Sequence, residues 1–151
     1  MAYDDDDDLT PAPHPYADLE PPPPDVLPRG EAYDWFQRAV ELIDAGSPHP
    51  AIELLRRVVS DEPESRSVRE ALARAQFDAG MYVDARDTFE WIITVNPADD
   101  YAQFGLGLSA ARTGDLAKAV EHLALAAAMR PDISHYAQAL RGARATLAAQ
   151  K

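Results

Sequence analysis

The chain has no cysteine and only two lysines, Lys118 and Lys151, in 151 residues. The lack of cysteine excludes a disulfide, a thiolate metal site and a thiol nucleophile. Positive charge is scarce. Fourteen Lys and Arg against twenty-six Asp and Glu leave a formal net charge of −12. An acidic chain repels a phosphate backbone, so no nucleic-acid partner is expected. Long apolar runs are missing too. None reaches the roughly 18 residues that span a bilayer, so no membrane partner is expected. The opening residues, Met1 to Tyr3 and then Asp4–Asp8, lack the basic-then-apolar order of a signal peptide. A soluble, cytoplasmic protein is the expectation.

Clusters that carry chemistry are also lacking. Of the four histidines, His14 lies near the start, His49 falls in a turn, and His122 and His135 fall on different helices; none forms the i, i+4 pair of a helical zinc site. Gly105 and Gly107 fall inside a helix, with no strand before them to make a phosphate loop. Five adjacent carboxylates at Asp4–Asp8 attract cations weakly but make no cage. Acidic pairs such as Asp61–Glu62 and Asp99–Asp100 sit at helix boundaries, where capping accounts for them. No enzyme activity, cofactor or metal is expected.

What the sequence does have is a period. Gly46, Gly80 and Gly114 are thirty-four residues apart, as are Ala51, Ala85 and Ala119, and Pro63, Pro97 and Pro131. Three registers locked to one spacing mark a helical hairpin stacked three times. Helix pairs are expected at 32–45 and 48–61, 66–79 and 82–95, and 100–113 and 116–129, with a seventh helix over about 134–149. The glycines stop each first helix and the prolines block each second one. Ser65, Asp99, Asp115 and Asp132 are candidate caps or cap neighbours. Residues 1–30 differ in kind: they hold eight of the thirteen prolines, and residues 1–31 hold nine acids against one base, Arg29. Such a segment cannot pack a core alone and reads as a disordered, acidic, proline-rich leader.

This pattern resembles the tetratricopeptide repeat family: Trp-x2-Leu-Gly-x2-Tyr, then Ala-x3-Phe, then Pro. The first repeat reads Trp35, Arg38, Ala39 and Leu42, then Ala51, Leu55 and Pro63. The second reads Arg69, Leu72, Ala73 and Gln76, then Ala85, Phe89 and Pro97. The third reads Gln103, Leu106, Gly107 and Ala110, then Ala119, Leu123 and Pro131. Arg38, Arg69, Gln76 and Gln103 depart from it. The resemblance implies an all-α, right-handed superhelical array of three repeats (about 32–65, 66–99 and 100–133) plus a capping helix at 134–149. It also implies a concave face lined by the first helix of each pair, and a protein or peptide partner rather than a substrate.

On the family's geometry that face carries Tyr33, Phe36, Val40 and Ile43, then Ser67, Glu70, Arg74, Phe77 and Asp78, then Tyr101, Phe104, Leu108 and Arg112, with His135 and Gln138 from the cap. Aromatic residues and arginine are the usual anchors of interfaces. Phe36, Arg74 and Phe104 are the leading candidates. The competing reading is that such aromatics are ordinary inter-helix core. Some relatives bind the C-terminal carboxylate of heat-shock chaperones through a clamp of Lys, Asn and Arg. Here the matching places carry Phe36, Val40, Ala71, Tyr101 and Gly105, so that activity is not expected. Trp91 and Leu125 share a register off the core stripe and suggest a second surface for a partner or a homo-oligomer; packing against a neighbouring helix is the plainer account. The leader allows three readings: a solvated tail, a proline-rich ligand for another protein, or a tethered ligand that docks on the array through Tyr16, Leu19, Val26 and Leu27.

Overall fold

The computed structural model describes residues 30–150 and, ahead of them, Pro15 alone. The expectations for the leader lie outside the described residues. Among those residues there are seven helices and no strand: α1 (Glu31–Asp44), α2 (Pro48–Asp61), α3 (Arg66–Asp78), α4 (Tyr82–Val95), α5 (Asp100–Arg112), α6 (Leu116–Met129) and α7 (Ser134–Ala149). They match the expected boundaries to within a residue.

The punctuation works through specific backbone bonds. Gly80 has φ 78°, a left-handed conformation that few other residues adopt without strain. It lets Gly80 N–H bond the Phe77 carbonyl at 3.0 Å and Met81 N–H bond the Gln76 carbonyl at 2.8 Å, which closes α3. Gly46 and Gly114 repeat this turn. At helix starts, Ser65, Asp99 and Asp115 accept from the backbone N–H of Val68, Ala102 and Lys118. Asp132 does not cap. Its carboxylate takes two N–H bonds from Arg130, at 3.0 and 2.8 Å, and α7 starts from Ile133 without a side-chain cap.

Each helix packs on the next in sequence. The first helices of successive pairs also touch, α1 on α3, α3 on α5 and α5 on α7, whereas among the described residues the second helices do not touch one another. An array close-packed on one side and splayed on the other curves, so α1, α3, α5 and α7 line the inner face. The core lies between these layers in two clusters. One joins Ala39, Ala51, Leu55, Val58 and Val68 across α1–α3, and the other joins Phe89, Ile92, Phe104, Leu106, Leu123 and Tyr136 across α4–α7.

The four departures from the repeat pattern have structural partners. Arg38 stands where the other repeats bury Leu72 and Leu106. Those leucines lie on helices backed by a preceding hairpin; α1 is the first helix of the array, so Arg38 is exposed and pairs with Glu41 at 3.4 Å. Gln76 accepts a 2.7 Å bond from the Thr88 hydroxyl. Gln103 bonds the His122 imidazole at 2.7 Å and donates to the Pro97 carbonyl at 3.0 Å. Arg69 lies over the Trp91 ring, 3.7 Å from its centroid. In the first repeat the residues thirty-four positions earlier are Trp35 and Arg57, the same pair reversed, at 5.1 Å.

Candidate partner groove

The residues expected to face the groove lie on α1, α3, α5 and α7, but not all at the surface. Tyr33, Phe36 and Val40 of α1, Arg74 of α3 and Leu108 of α5 are half-buried, and Gln138 of α7 is exposed. The Gln37 amide donates to the Tyr33 hydroxyl at 2.8 Å. Phe36 packs against the first core cluster and Leu108 against the second, while Arg74 reaches Asp44 at the end of α1.

Ile43, Ser67, Glu70, Phe77, Tyr101 and Phe104 are buried, which corrects the expectation that they offer open surface. Phe104 is 1% exposed and lies tilted against Tyr136, ring centroids 4.8 Å apart. Tyr136 is itself fixed by donating a 2.7 Å bond to Asp100. Tyr101 meets Phe89 edge-on at 6.4 Å, and burial pushes its phenol well above the ordinary value, so it stays neutral. Phe77 meets the Tyr82 ring edge-on at 5.1 Å. Arg112 covers both rings and donates to the Tyr82 hydroxyl at 3.0 Å.

Charge on α3 is arranged as a ladder. Arg66, Glu70, Arg74 and Asp78 follow at i, i+4 intervals, which places them on one face. Arg66 Nε is 3.6 Å from both Glu70 and Asp99, and Arg74 lies 3.6 Å from Asp44 of α1 and 4.0 Å from Asp78. Each of these two arginines faces two carboxylates, so four acids stand against two bases and the ladder is acidic by two charges. It disfavours an acidic ligand.

On the outer side, Trp91 is 37% and Leu125 42% exposed. Val95 and Met129, one turn further along the same helices, are also exposed and were not anticipated. Their i, i+4 spacing from Trp91 and Leu125 was the signal that could have found them. The first repeat has Arg57 and Asp61 at these places, so the apolar stripe is confined to α4 and α6. Among the described residues no group of His, Asp or Glu is placed to hold a metal, and no helix is long and apolar enough to cross a membrane.

The chain matches the tetratricopeptide repeat family over residues 36–90 and again over 71–132. It belongs to that family, whose members are typically interaction modules rather than catalysts. Solved structures agree on the fold. The first TPR of Spaghetti (RPAP3), bound to the HSP90 peptide SRMEEVD, superposes with a TM-score of 0.74 at 16% identity, covering 78% of this chain and 94% of that one. The Sgt2 TPR domain from Aspergillus fumigatus gives 0.74 at 18% identity, covering 83% and 84%. MamA from Desulfovibrio magneticus RS-1 gives 0.73 at 21% identity, covering 77% and 66%. No curated protein matches the chain in sequence.

Proposed function

We propose that the protein is a non-catalytic adaptor that grips an extended peptide or a helix of a partner protein along its inner face. Half-buried Tyr33, Phe36, Val40 and Leu108, on the same set of inner helices as Arg74, carry this reading. Together they combine the apolar anchors and the arginine that concentrate binding energy at interfaces. The peptide-bound RPAP3 domain has the same fold. At the places where chaperone-tail binders carry their clamp, this chain has Phe36, Val40, Ala71, Tyr101 and Gly105. Its ligand is therefore of a different kind, with apolar side chains and backbone carbonyls to match these residues. Neither nucleic acid nor membrane belongs to this reading, and the cytoplasm is the compartment we infer.

The test compares partner capture by the unaltered chain with capture by Phe36→Ala/Arg74→Glu and by Leu125→Ser/Met129→Ser, all with unchanged helical content. Loss with the first variant only is expected. Unchanged capture by that variant would reject the groove. The second reading, self-association, is favoured by the exposed stripe of Trp91, Val95, Leu125 and Met129. It requires a concentration-dependent shift in size exclusion that Leu125→Ser/Met129→Ser removes.

A further inference from the structure

We propose that the outer stripe of Trp91, Val95, Leu125 and Met129 seats the same stripe of a second copy across a two-fold axis, with α4 of each chain antiparallel on α6 of the other. This rests on the self-association reading above and gives it a geometry. The resulting dimer turns both inner faces outward, so one assembly holds two groove partners.

Register supplies the symmetry. Trp91 and Leu125 are thirty-four residues apart, as are Val95 and Met129. Equivalent positions in successive repeats point to the same side of a stack, and equivalent helices run the same way. A two-fold axis between α4 and α6 then sets Trp91 against Met129 of the second copy and Val95 against Leu125 of the second copy, and each contact forms twice. A flexible thioether suits an indole ring. The ring is also held in advance. Arg69 stacks on it, 3.7 Å from its centroid, and donates to the Pro63 carbonyl at 3.4 Å. Binding therefore costs little side-chain entropy at Trp91.

Area and charge agree with a second copy. Val95 is 62% and Met129 36% exposed, and with Trp91 and Leu125 the stripe presents about 350 Å². The smallest stable interfaces take about 600 Å² from each partner, a little over half of it apolar. The stripe supplies that apolar share, so a dimer of modest affinity is expected. The charged residues beside it in sequence are already paired within the chain, Glu90 with Lys118 at 3.3 Å and Arg130 with Asp132 at 2.8 Å. This face therefore selects neither an acidic nor a basic partner. The two ends of the array differ: α1 has four acids and one base, and α7 has two arginines and no acid. An end-to-end contact would be held by charge and would weaken as salt rises. Two chains of net charge −12 that meet on an apolar stripe repel at long range and associate better once salt screens them. The sign of the salt dependence separates the two.

The absence of cysteine makes the pairing readable, since each variant then carries one thiol. Full-length Val95→Cys and Leu125→Cys, one of them tagged, are mixed in a thiol–disulfide redox buffer. Disulfides between the two variants should exceed those within either by at least about fivefold. The reason is that the two copies of either position sit on helices set apart by the axis, beyond the reach of a disulfide. Sedimentation of the unaltered chain should show the dimer tightening between about 50 and 300 mM salt. Leu125→Ser/Met129→Ser, at residues already exposed, should weaken it at least about tenfold. A chain that stays monomeric at every concentration and salt overturns the proposal and the self-association reading together. A dimer that weakens with salt, or that cross-links each variant with itself as readily as with the other, overturns this geometry and leaves self-association standing.

Discussion

Helices α1 and α5 occupy the same register, sixty-eight residues apart, in very different surroundings. Only Ala32, Ala39 and Ile43 are buried among the fourteen residues of α1, whereas nine of the thirteen in α5 are buried. α5 is enclosed by α3, α4, α6 and α7, while among the described residues α1 packs on α2 and α3 alone. In a stacked array the place of a helix along the stack decides how much of it solvent sees, and the repeat register decides only which way each side chain points. Phe36 and Phe104 are the sharpest instance: equivalent by register, one is half-exposed and the other sealed against Tyr136.

The largest expected effect follows from that pair. Phe104→Ala should destabilise by about 3–5 kcal/mol, the range for emptying a buried aromatic site. Phe36→Ala should cost about 1–2 kcal/mol, since only part of a phenylalanine's burial is at stake. Urea unfolding of both variants measures the contrast, and equal losses would break it. A second contrast is smaller. A Cβ on Gly105 would run into the Phe89 ring, which is itself fully buried. Gly105→Ala should therefore cost about 1–3 kcal/mol, even though alanine favours helix. Its α1 counterpart Gln37 is exposed, and Gln37→Ala should stay within about 0.5 kcal/mol. Trimming the obstacle with Phe89→Leu should make Gly105→Ala less costly, which identifies the clash as the cause.

These contrasts mark what was legible in the sequence. The shared spacing of Gly46, Gly80 and Gly114 and of Pro63, Pro97 and Pro131, with the helical periodicity between them, placed the helices, because a left-handed stop and a thirty-four-residue period are local signals. Burial of Phe104 was not legible, because it depends on Tyr136 from α7, thirty-two residues away and one helix beyond the repeat. The departures at Gln76, Gln103 and Arg69 were visible as departures. Their compensation was not, since Thr88, His122 and Trp91 sit on the opposite helix of each hairpin and carry different chemistry in each repeat. For the candidate groove, the sequence placed the residues on the right helices but could not separate the half-exposed from the buried.

A third prediction uses the buried pair of His122 with Gln103 in the α5–α6 hairpin, whose histidine stands at the register where α3–α4 has Thr88 bonded to Gln76. His122 is buried and bonds Gln103, whereas its counterpart in the first repeat is Leu54. Burial lowers the pKa of His122. The unfolded chain then takes up this proton first, so stability falls as pH drops below about 6.5 and levels off once the folded imidazole is also protonated. His122→Leu should flatten the thermal stability profile across that window. A slope unchanged by the substitution would assign the acid sensitivity to carboxylates instead.

The smallest effect tests whether equivalence between repeats resides in the residue or in the contact. The first repeat places Trp35 on α1 under Arg57 of α2, and the second places Arg69 on α3 over Trp91 of α4. Each pair joins the two helices of one hairpin, and the second is the closer, 3.7 Å against 5.1 Å. Trp91→Arg alone sets two guanidinium groups face to face. It should cost about 0.5–1 kcal/mol from the lost cation–π contact, plus some like-charge repulsion. Adding Arg69→Trp converts the second hairpin to the arrangement of the first and should recover most of the loss. The double-mutant cycle, read from urea midpoints, gives the coupling directly. A double variant no more stable than Trp91→Arg would mean that the reversed pair is tied to its own repeat by surroundings that differ between α2 and α4. Recovery would mean that the repeat preserves a contact between two positions and is indifferent to which helix supplies the ring.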